Sequence, residues 1–318
     1  MSTVLVTGAG GFVGGWLVKR LLRAGHAVCG ATIDGRAPEA GILGRDEVLA
    51  VQWRPLELQD NSSVSALVHG GFDAVVHLAA VSSGAEARQD PGAAWAVNAG
   101  GTARLLDELG KRRLRGDADP LVILASTGEV YGARASAPMR EDAPIAPVSP
   151  YAASKAGAEL AARETHERTG LRVVVVRPFQ QTGPGQDERF VVPALVRRLL
   201  AAKALGAGAV KVGNLDPVRD FLDVRDVADA LVALLDCGVA GETYNVATGT
   251  GVALRDLFDR IAAIVGVSVV PEADARLMRA ADIPYLVGDP AKLTAAAGWR
   301  AALPLERTLG DLVARCRV

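Results

Sequence analysis

The chain has 318 residues, half of them hydrophobic, and its 35 lysines and arginines are balanced by 36 aspartates and glutamates. This length supports one large core with room for a second lobe. Because the balanced charge creates no extended field that would collect nucleic acid or an anionic membrane, neither is expected as a partner, and an anionic ligand must be held by local groups.

Cysteine usage and hydropathy favour a cytoplasmic protein. Cys29, Cys237 and Cys316 stand far apart and form no metal-binding or C-x-x-C spacing, which fits a reducing compartment and predicts no metal site. The first core strand is predicted to begin at Val4, which leaves no length for a signal peptide, and no apolar run is long enough to span a bilayer.

The first predicted elements are an apolar strand, a glycine turn and a helix. Gly8 permits the tight turn, Gly11 lets the backbone approach a pyrophosphate, and Gly14 lets the helix pack closely on the strand. The first N–H groups of the helix and its dipole then face the phosphates. Glycine loops also serve as plain turns, but the flanking strand and helix favour a dinucleotide site. The residues assigned to this site are Gly8, Gly11, Phe12, Val13 and Gly14.

A second strand is predicted at residues 27–33, and its end should select the cofactor. An acidic residue there holds the ribose hydroxyls of NAD, whereas a small or basic residue admits the 2′-phosphate of NADP. Aligning the lead-in places Thr32 at this position, with Arg36 close behind, although Asp34 lies two residues on. We therefore expect NADP through Thr32 and Arg36, and NAD remains the alternative.

Strands and helices continue to alternate through the first half. The predicted strands are residues 48–53, 74–80 and 121–127, and the predicted helices begin at 60–63 and pass through Asn98 and Leu105. Such alternation predicts an α/β fold with a doubly wound parallel sheet. The fourth strand ends in small residues that leave space for a cofactor, and Leu78, Ala79 and Ala80 are assigned to the cofactor site. His77 within this strand is interpreted as a packed core histidine.

The second half opens with a Tyr-Lys pair on a helix. Tyr151 and Lys155 lie one turn apart on one face, so the ammonium is expected to lower the pKa of the phenol and make it an acid/base group. A surface pair is the simpler alternative, but Ser126 and Thr127, at the end of the preceding strand, offer hydroxyls to the same substrate oxygen.

Beyond residue 178 the pattern changes to turns and shorter elements. A strand is predicted at 172–177, a turn-rich loop at 180–186, a helix at 223–235, a strand returning to the sheet at 241–247, and closing helices at 254–265 and 305–316. We expect a dinucleotide-binding domain at 1–177, with return segments near 220–247, and a smaller substrate-binding lobe, mainly 178–318.

Three motifs together resemble the extended short-chain dehydrogenase/reductases that act on nucleotide sugars. They are Thr7-Gly8-x-x-Gly11-x-x-Gly14, Ser126-Thr127-Gly128-Glu129-Val130-Tyr131-Gly132 and Tyr151-x-x-x-Lys155. The resemblance runs along essentially the whole chain. It implies a Rossmann-type fold with a smaller C-terminal substrate lobe, an NAD(P)-dependent oxidoreductase and a homodimer.

The same resemblance implies roles for individual residues. Tyr151 would be the acid/base, Lys155 would bind the nicotinamide ribose, Thr127 would bind the reacting oxygen, and Asn98 would support the cofactor site. Glu57 and Leu58 stand where the family contacts adenine, usually with Asp, and the change to Glu puts that contact in question.

Motifs in the second half are similar to GDP-sugar enzymes, first the GDP-4-keto-6-deoxymannose reductases and then the GDP-mannose 4,6-dehydratases. Arg219 and Arg279 suit a diphosphate, and Phe190 and Val192 suit a nucleobase. Gln180 departs from the asparagine expected after Arg-Pro-Phe. The substrate-binding residues assigned are Ser126, Gln180, Phe190, Val192, Arg219 and Arg279.

Four functions remain open at this point, three enzymatic and one non-catalytic. A reductase needs only hydride and a proton from Tyr151, whereas a dehydratase also needs a base at C5, for which Glu129 is the candidate, and a group that protonates the departing hydroxyl. Gly128 has no side chain where dehydratases commonly carry Asp or Ser, which favours the reductase. A 4-epimerase with the same fold is the third possibility, and a non-catalytic dinucleotide sensor is the least favoured.

Overall fold

The computed structural model describes residues 1–38, 41–133, 137–278 and 282–316, and its centre is a parallel sheet of seven strands. The strands are β1 Thr3–Thr7, β2 Ala27–Thr32, β3 Val51–Pro55, β4 Ala74–His77, β5 Leu121–Ala125, β6 Arg172–Pro178, β7 Gln180–Thr182, β8 Ala209–Val212, β9 Val218–Arg219, β10 Phe221–Asp223, β11 Thr243–Val246, β12 Val252–Ala253, β13 Val270–Ala273 and β14 Tyr285–Leu286. The central sheet has the order β11-β6-β5-β4-β1-β2-β3.

Helices cover both faces of this sheet and also pack together in the C-terminal part of the chain. They are α1 Phe12–Arg23, α2 Arg45–Leu49, α3 Asn61–Val68, α4 Gly84–Gln89, α5 Pro91–Trp95, α6 Thr102–Arg115, α7 Pro150–Thr169, α8 Val191–Leu205, α9 Val224–Cys237, α10 Leu254–Val265, α11 Ala291–Ala297 and α12 Leu305–Cys316. A π-helical segment, Ala96–Gly101, joins α5 to α6, and short 3₁₀ turns lie at Gly128–Tyr131 and Ala275–Leu277. Within the described ranges, none of these helices has the length and apolar character needed to cross a membrane.

Three hydrophobic cores follow from this arrangement. One packs α1 and α9 against the sheet, and another packs α3, α6 and α7 against it. A third joins α8, α10 and α12 in the C-terminal part of the chain. The α/β class with a doubly wound parallel sheet is confirmed, because every pairing in the central sheet is parallel and strands alternate with helices.

Two sequence-based assignments are wrong. Val48 lies in α2 rather than at the start of the third strand, because Glu47 accepts the N–H of Gly44 at 2.9 Å and closes a helical turn there. Gln180–Thr182 forms a strand rather than part of a loop, because it pairs in parallel with β10. The strands predicted at 27–33, 74–80 and 121–127 end early, so their last residues lie at the carboxyl edge of the sheet.

The turn between β1 and α1 leaves no room for side chains. Gly8 has a φ of +70°, and a Cβ on it would lie 2.9 Å from the backbone nitrogen of Ala79. A Cβ on Gly14 would overlap the carbonyl oxygen of Gly8. The start of α1 is therefore pressed against the end of β1, as the glycine pattern predicted.

Replacing Gly14 with Ala should destabilise the protein and weaken dinucleotide binding, because either α1 or the glycine turn must shift. Gly310 is the matched control, since it is also helical and a Cβ there meets nothing within 4 Å. Gly310→Ala should be neutral or stabilising by up to about 1 kcal/mol. Urea unfolding and NADPH fluorescence titration measure the two effects. Equal stability and affinity in Gly14→Ala and the wild type would contradict the packing described here.

Candidate active site

A cavity of about 700 Å³ opens at the carboxyl edge of the central sheet, between the glycine turn and the C-terminal elements. It is where an open α/β sheet binds its ligands. The structure brings most of the assigned residues to its wall, namely Gly8, Gly11, Phe12, Val13, Gly14, Leu78, Ala79, Ala80, Ser126, Thr127, Glu129, Tyr151, Lys155, Gln180, Phe190, Val192 and Arg219. Arg279 lies outside the described residues.

A chain of hydrogen bonds beneath the glycine turn was not predicted from the sequence. The Thr7 hydroxyl accepts the N–H groups of Leu78 and Ala79 at 3.2 and 3.1 Å, so its own proton goes to Nδ1 of His77 at 2.7 Å. Nε2 of His77 then donates to the Thr102 hydroxyl at 3.0 Å. The chain joins β1, β4 and α6 beneath the glycine turn.

These contacts require a neutral imidazole. His77 is 2% exposed, and burial, aided by the charge of Lys155, lowers the pKa of His77 to about 3. The interpretation of His77 as a packed core histidine agrees with this position, since it joins the strands rather than facing the cavity. The only available signal was its place inside an apolar strand.

Asn98 supports the site from behind and does not line the cavity. Its amide oxygen accepts the N–H of Val81 at 2.8 Å, and its amide nitrogen donates to the Ser154 hydroxyl at 2.9 Å. Ser154 in turn donates to the carbonyl oxygen of Tyr151 at 2.8 Å. Asn98 therefore connects the loop after β4 to the first turn of α7, where Tyr151 lies.

The Tyr-Lys pair stands at the start of α7. Ser149 caps this helix by accepting the N–H of Ala152 at 3.1 Å, so the chain turns into the helix where the proline-rich segment ends. Tyr151 is hydrogen-bonded to the Thr127 side chain. Lys155 donates to the carbonyl oxygen of Ala125 at 2.7 Å. Tyr151 and Thr127 can thus meet the same substrate oxygen.

The pKa of Tyr151 moves in the direction opposite to our expectation. Burial and the negative charge of Glu129 raise it above the ordinary value for a phenol, and only the hydrogen bond from Thr127 acts to lower it. The Lys155 ammonium does not set this shift, and burial lowers the pKa of the ammonium itself to about 8. The protein alone therefore keeps Tyr151 protonated, which is the state required of a proton donor.

Ser126 does not offer its hydroxyl to the cavity as predicted. It is 3% exposed and donates to Glu159 on α7. Glu159 also accepts both Nε and Nη2 of Arg177, at 3.0 and 2.7 Å. Ser126 consequently belongs to a buried polar network behind Thr127.

Among the residues assigned to the substrate, Arg219 already has a charged partner in the protein. Arg219 lines the cavity but is 6% exposed, and its guanidinium contacts Asp282 at 2.7 Å and the carbonyl oxygen of Val218 at 2.9 Å. A diphosphate there would share Arg219 with this carboxylate. Three further arginines on the cavity wall, Arg88, Arg189 and Arg198, were missed, because a single charge in the sequence does not reveal which way its side chain faces.

The residues assigned to the adenosine end, Thr32, Arg36, Glu57 and Leu58, do not line the main cavity, although Thr32 packs beside Gly10, which does. Thr32 donates to the carbonyl oxygen of Arg36 at 2.9 Å, and Asp34 accepts the backbone N–H of Arg36 at 3.0 Å. The Asp34 carboxylate therefore shapes this turn, while the Arg36 side chain is exposed. Glu57 accepts the N–H of Gln59 at 2.9 Å, and Leu58 is buried against Gly101.

Metal ligands do not gather in the part of the chain that the structure describes. No three His, Cys, Asp or Glu side chains come close enough there to hold an ion. The glycine turn, by contrast, fits a dinucleotide, because its missing Cβ atoms let the backbone approach a pyrophosphate.

Comparison with known proteins gives a consistent family. The model of the family described as GDP-mannose 4,6 dehydratase matches residues 5–312. A GDP-6-deoxy-D-mannose reductase from Pseudomonas aeruginosa is 37% identical over 240 residues, which are 74% of this chain and 78% of the relative.

Two solved structures superpose along almost the whole chain. RMD from Pseudomonas aeruginosa, solved with NADPH, has a TM-score of 0.84 at 32% identity, covering 100% of both chains. The UDP-glucose 4-epimerase of Thermus thermophilus, solved with NAD, has a TM-score of 0.83 at 29% identity, covering 99% of both chains. These similar proteins thus include both a reductase and an epimerase.

The neutral state of His77 predicts a specific pH dependence of stability. The pKa of His77 is about 3 in the folded chain and 6.5 in the unfolded chain. The contribution of His77 to the free energy of unfolding is therefore complete above pH 6.5 and is lost as the pH falls towards 3. His77→Gln should therefore lose less unfolding free energy between pH 7 and pH 4 than the wild type does. His69→Gln, on the surface, is the control and should keep the wild-type slope. Urea unfolding at several pH values measures this, and identical slopes for His77→Gln and the wild type would show that His77 is not held neutral.

Proposed function

The chain belongs to the GDP-mannose 4,6-dehydratase family of extended short-chain dehydrogenase/reductases, and from this premise we propose that it reduces the C4 ketone of a GDP-linked 4-keto-6-deoxyhexose. Its relatives are NAD(P)-dependent enzymes of nucleotide sugars. The reductase assignment depends on the packing around Gly128, and the 37% identical relative from Pseudomonas aeruginosa supports it.

Phe179 occupies the space that a dehydratase needs at position 128. A Cβ on Gly128 would lie 3.1 Å from three atoms of the Phe179 ring. The ring stacks on Tyr131 with centroids 6.2 Å apart, and the backbone of Gly288 lies so close to its other edge that a Cβ there would overlap the ring. Phe179 is 4% exposed. An Asp or Ser at position 128 would press on this ring, which supports a site without a side chain that protonates a departing C6 hydroxyl.

The remaining groups suffice for ketone reduction. The glycine turn would hold the pyrophosphate of a reduced dinucleotide, whose nicotinamide would supply hydride to C4. Tyr151 donates its phenolic proton to the C4 oxygen, so the carbonyl becomes a secondary alcohol, and the Thr127 hydroxyl holds that oxygen. The Lys155 ammonium, which lines the cavity beside Tyr151, would hold the nicotinamide ribose. Phe190 and Val192 wall the nucleobase, and Arg219 meets the diphosphate.

Glu129 supports 4,6-dehydration as the second candidate. It lines the cavity near Tyr151 and can act as the base at C5 that dehydration requires. Reduction needs no such base. The two activities differ in their substrates, since a dehydratase starts from GDP-mannose and a reductase starts from its 4-keto-6-deoxy product.

The purified protein should oxidise NADPH when GDP-4-keto-6-deoxymannose is added and should not convert GDP-mannose to the keto sugar. Absorbance of the reduced nicotinamide follows the first reaction, and mass spectrometry follows the second. Tyr151→Phe should lose about 10²–10⁴-fold in kcat and keep its NADPH affinity, because only the transferred proton is removed. Keto sugar formed from GDP-mannose, without NADPH consumption in the other arm, would replace the reductase with the dehydratase. Interconversion of C4 epimers would indicate the epimerase.

NADP is the proposed cofactor, through Thr32 and Arg36. Arg36→Ala should weaken NADPH by about ten- to a hundredfold, as expected for a charge-assisted contact of ~1.5–3 kcal/mol, and should spare NADH, which has no 2′-phosphate. Arg300→Ala, another exposed arginine, is the control for charge alone and should change neither affinity. Titration calorimetry measures both cofactor affinities for the wild type and the two variants, and a wild-type preference for NADH would show that Asp34 governs the pocket.

A further inference from the structure

Glu159 lies in the buried layer directly behind the proposed catalytic side chains. It is on α7, one helical turn after Lys155, and is 7% exposed. Its carboxylate accepts the Ser126 hydroxyl on one oxygen and receives Arg177 in a bidentate contact, at 3.0 Å from Nε and 2.7 Å from Nη2. One side chain thus connects α7, β6 and the end of β5.

Each of these connections ends next to a residue that faces the cavity. Ser126 immediately precedes Thr127 at the end of β5. Arg177 is followed after one proline by Phe179 and Gln180, the first of which fills the space at Gly128. The third segment, α7, carries the Tyr-Lys pair. The carboxylate therefore sets the relative positions of the three segments that meet the substrate and the nicotinamide.

Arg177 is also held at the guanidinium nitrogen that does not contact Glu159. Its Nη1 donates to the Tyr131 hydroxyl at 2.9 Å and to the carbonyl oxygen of Glu141 at 3.1 Å, and its guanidinium lies 4.8 Å from the Tyr131 ring centroid. The Tyr131 hydroxyl donates to the side-chain oxygen of Asn245 at 2.7 Å. The ion pair is consequently part of a satisfied buried network with little freedom to reorient.

Stability alone is a weak reason to bury such a pair. Taking two charges out of water costs several kcal/mol for each ion, and well-packed apolar residues of similar volume are often as stabilising or more so. A network that fixes geometry at a reaction site is a stronger reason, since small displacements there reduce the rate strongly.

We propose that Glu159 is the positioning residue of this site, whose carboxylate holds the Thr127 strand, the Tyr-Lys helix and the Phe179 segment in register for the reaction. The inference rests on the proposed function for its turnover assay and on the proposed contact of Lys155 with the nicotinamide ribose. The NADPH-binding assay for Glu159 needs no sugar substrate, so the positioning role of Glu159 and the proposed reductase function can fail separately.

Glu159 also favours the charged form of Lys155. Burial lowers the pKa of the Lys155 ammonium to about 8, and the negative charge of Glu159 acts in the opposite direction. The other charged or titratable groups of the described residues that face this region are Arg177 on β6 with Tyr131 and Glu141 beyond it, neutral His77 on β4, and Glu129 with Tyr151 on the cavity side. Removing the charge of Glu159 should therefore lower the pKa of Lys155 further, so that deprotonation begins at a more acidic pH.

The test compares Glu159→Gln with Asp226→Asn. Asp226 is an equally buried carboxylate, 3% exposed, that accepts the N–H of Leu303 at 3.0 Å and lies on α9, outside this network. NADPH affinity is measured by fluorescence titration across pH 6.5 to 9.5, and kcat and KM are measured with the keto sugar.

Wild-type affinity should fall as the pH rises through about 8, because the Lys155 ammonium is lost. In Glu159→Gln this midpoint should move about one pH unit or more to the acid side, and kcat should fall at least about tenfold with a smaller change in KM. Asp226→Asn should keep the wild-type midpoint and kcat, even if it unfolds at lower temperature.

An unchanged midpoint and kcat in folded Glu159→Gln would overturn the proposal and leave Glu159 a structural ion pair. If Glu159→Gln does not fold, Glu159→Asp decides: it keeps the charge but withdraws it by one methylene, so kcat should fall several-fold while the pH midpoint stays. Wild-type kcat in Glu159→Asp would equally overturn the proposal. A wild type that binds NADPH with the expected pH dependence but turns over no keto sugar would refute the proposed function and not this inference.

Discussion

The start of α1 and the end of β1 meet with no space for a side chain between them, and the rest of the site is built on that contact. Gly14 sits against the carbonyl oxygen of Gly8, and Gly8 sits against the backbone of Ala79. Thr7, the residue before the turn, then organises the end of β4 through its hydroxyl and His77. The helix axis, the glycine backbone and the neighbouring strand end are thereby fixed relative to one another, and a phosphate-binding surface results.

The side of the cavity that carries Tyr151 and Lys155 depends on a second set of contacts, which are polar and buried. Asn98 holds the first turn of α7 through Ser154, and Glu159 holds the next turn to β5 and β6. Tyr151 and Lys155 project from the helix segment between these supports. Their geometry is therefore determined from behind, by residues that do not face the substrate.

Much of this was predictable from local patterns. The amphipathic spacing of residues 254–265 and 305–316 predicted α10 and α12 with their observed bounds, because each apolar face has a helical period and Gly266 ends α10. The Tyr-Lys spacing likewise specified one helix face. Contacts between distant residues left no such signal: Asp282 pairs with Arg219 across 63 positions, and Phe179 fills the space beside Gly128. The raised pKa of Tyr151 was missed for the same reason, since burial is a property of the assembled cavity.

The proposed preference for reduction over dehydration rests on the packing of one aromatic ring. Phe179 lies between Gly128 and Gly288 and stacks on Tyr131, so a side chain at position 128 would press on its ring. The central claim is most directly tested by incubating the protein with GDP-4-keto-6-deoxymannose and NADPH carrying deuterium at both hydrogens of nicotinamide C4, and locating the label by NMR. The account predicts one deuterium on sugar C4 of a GDP-6-deoxyhexose. An unlabelled sugar, together with transfer of hydrogen from C4 to C6 when deuterated GDP-mannose is supplied instead, would contradict it.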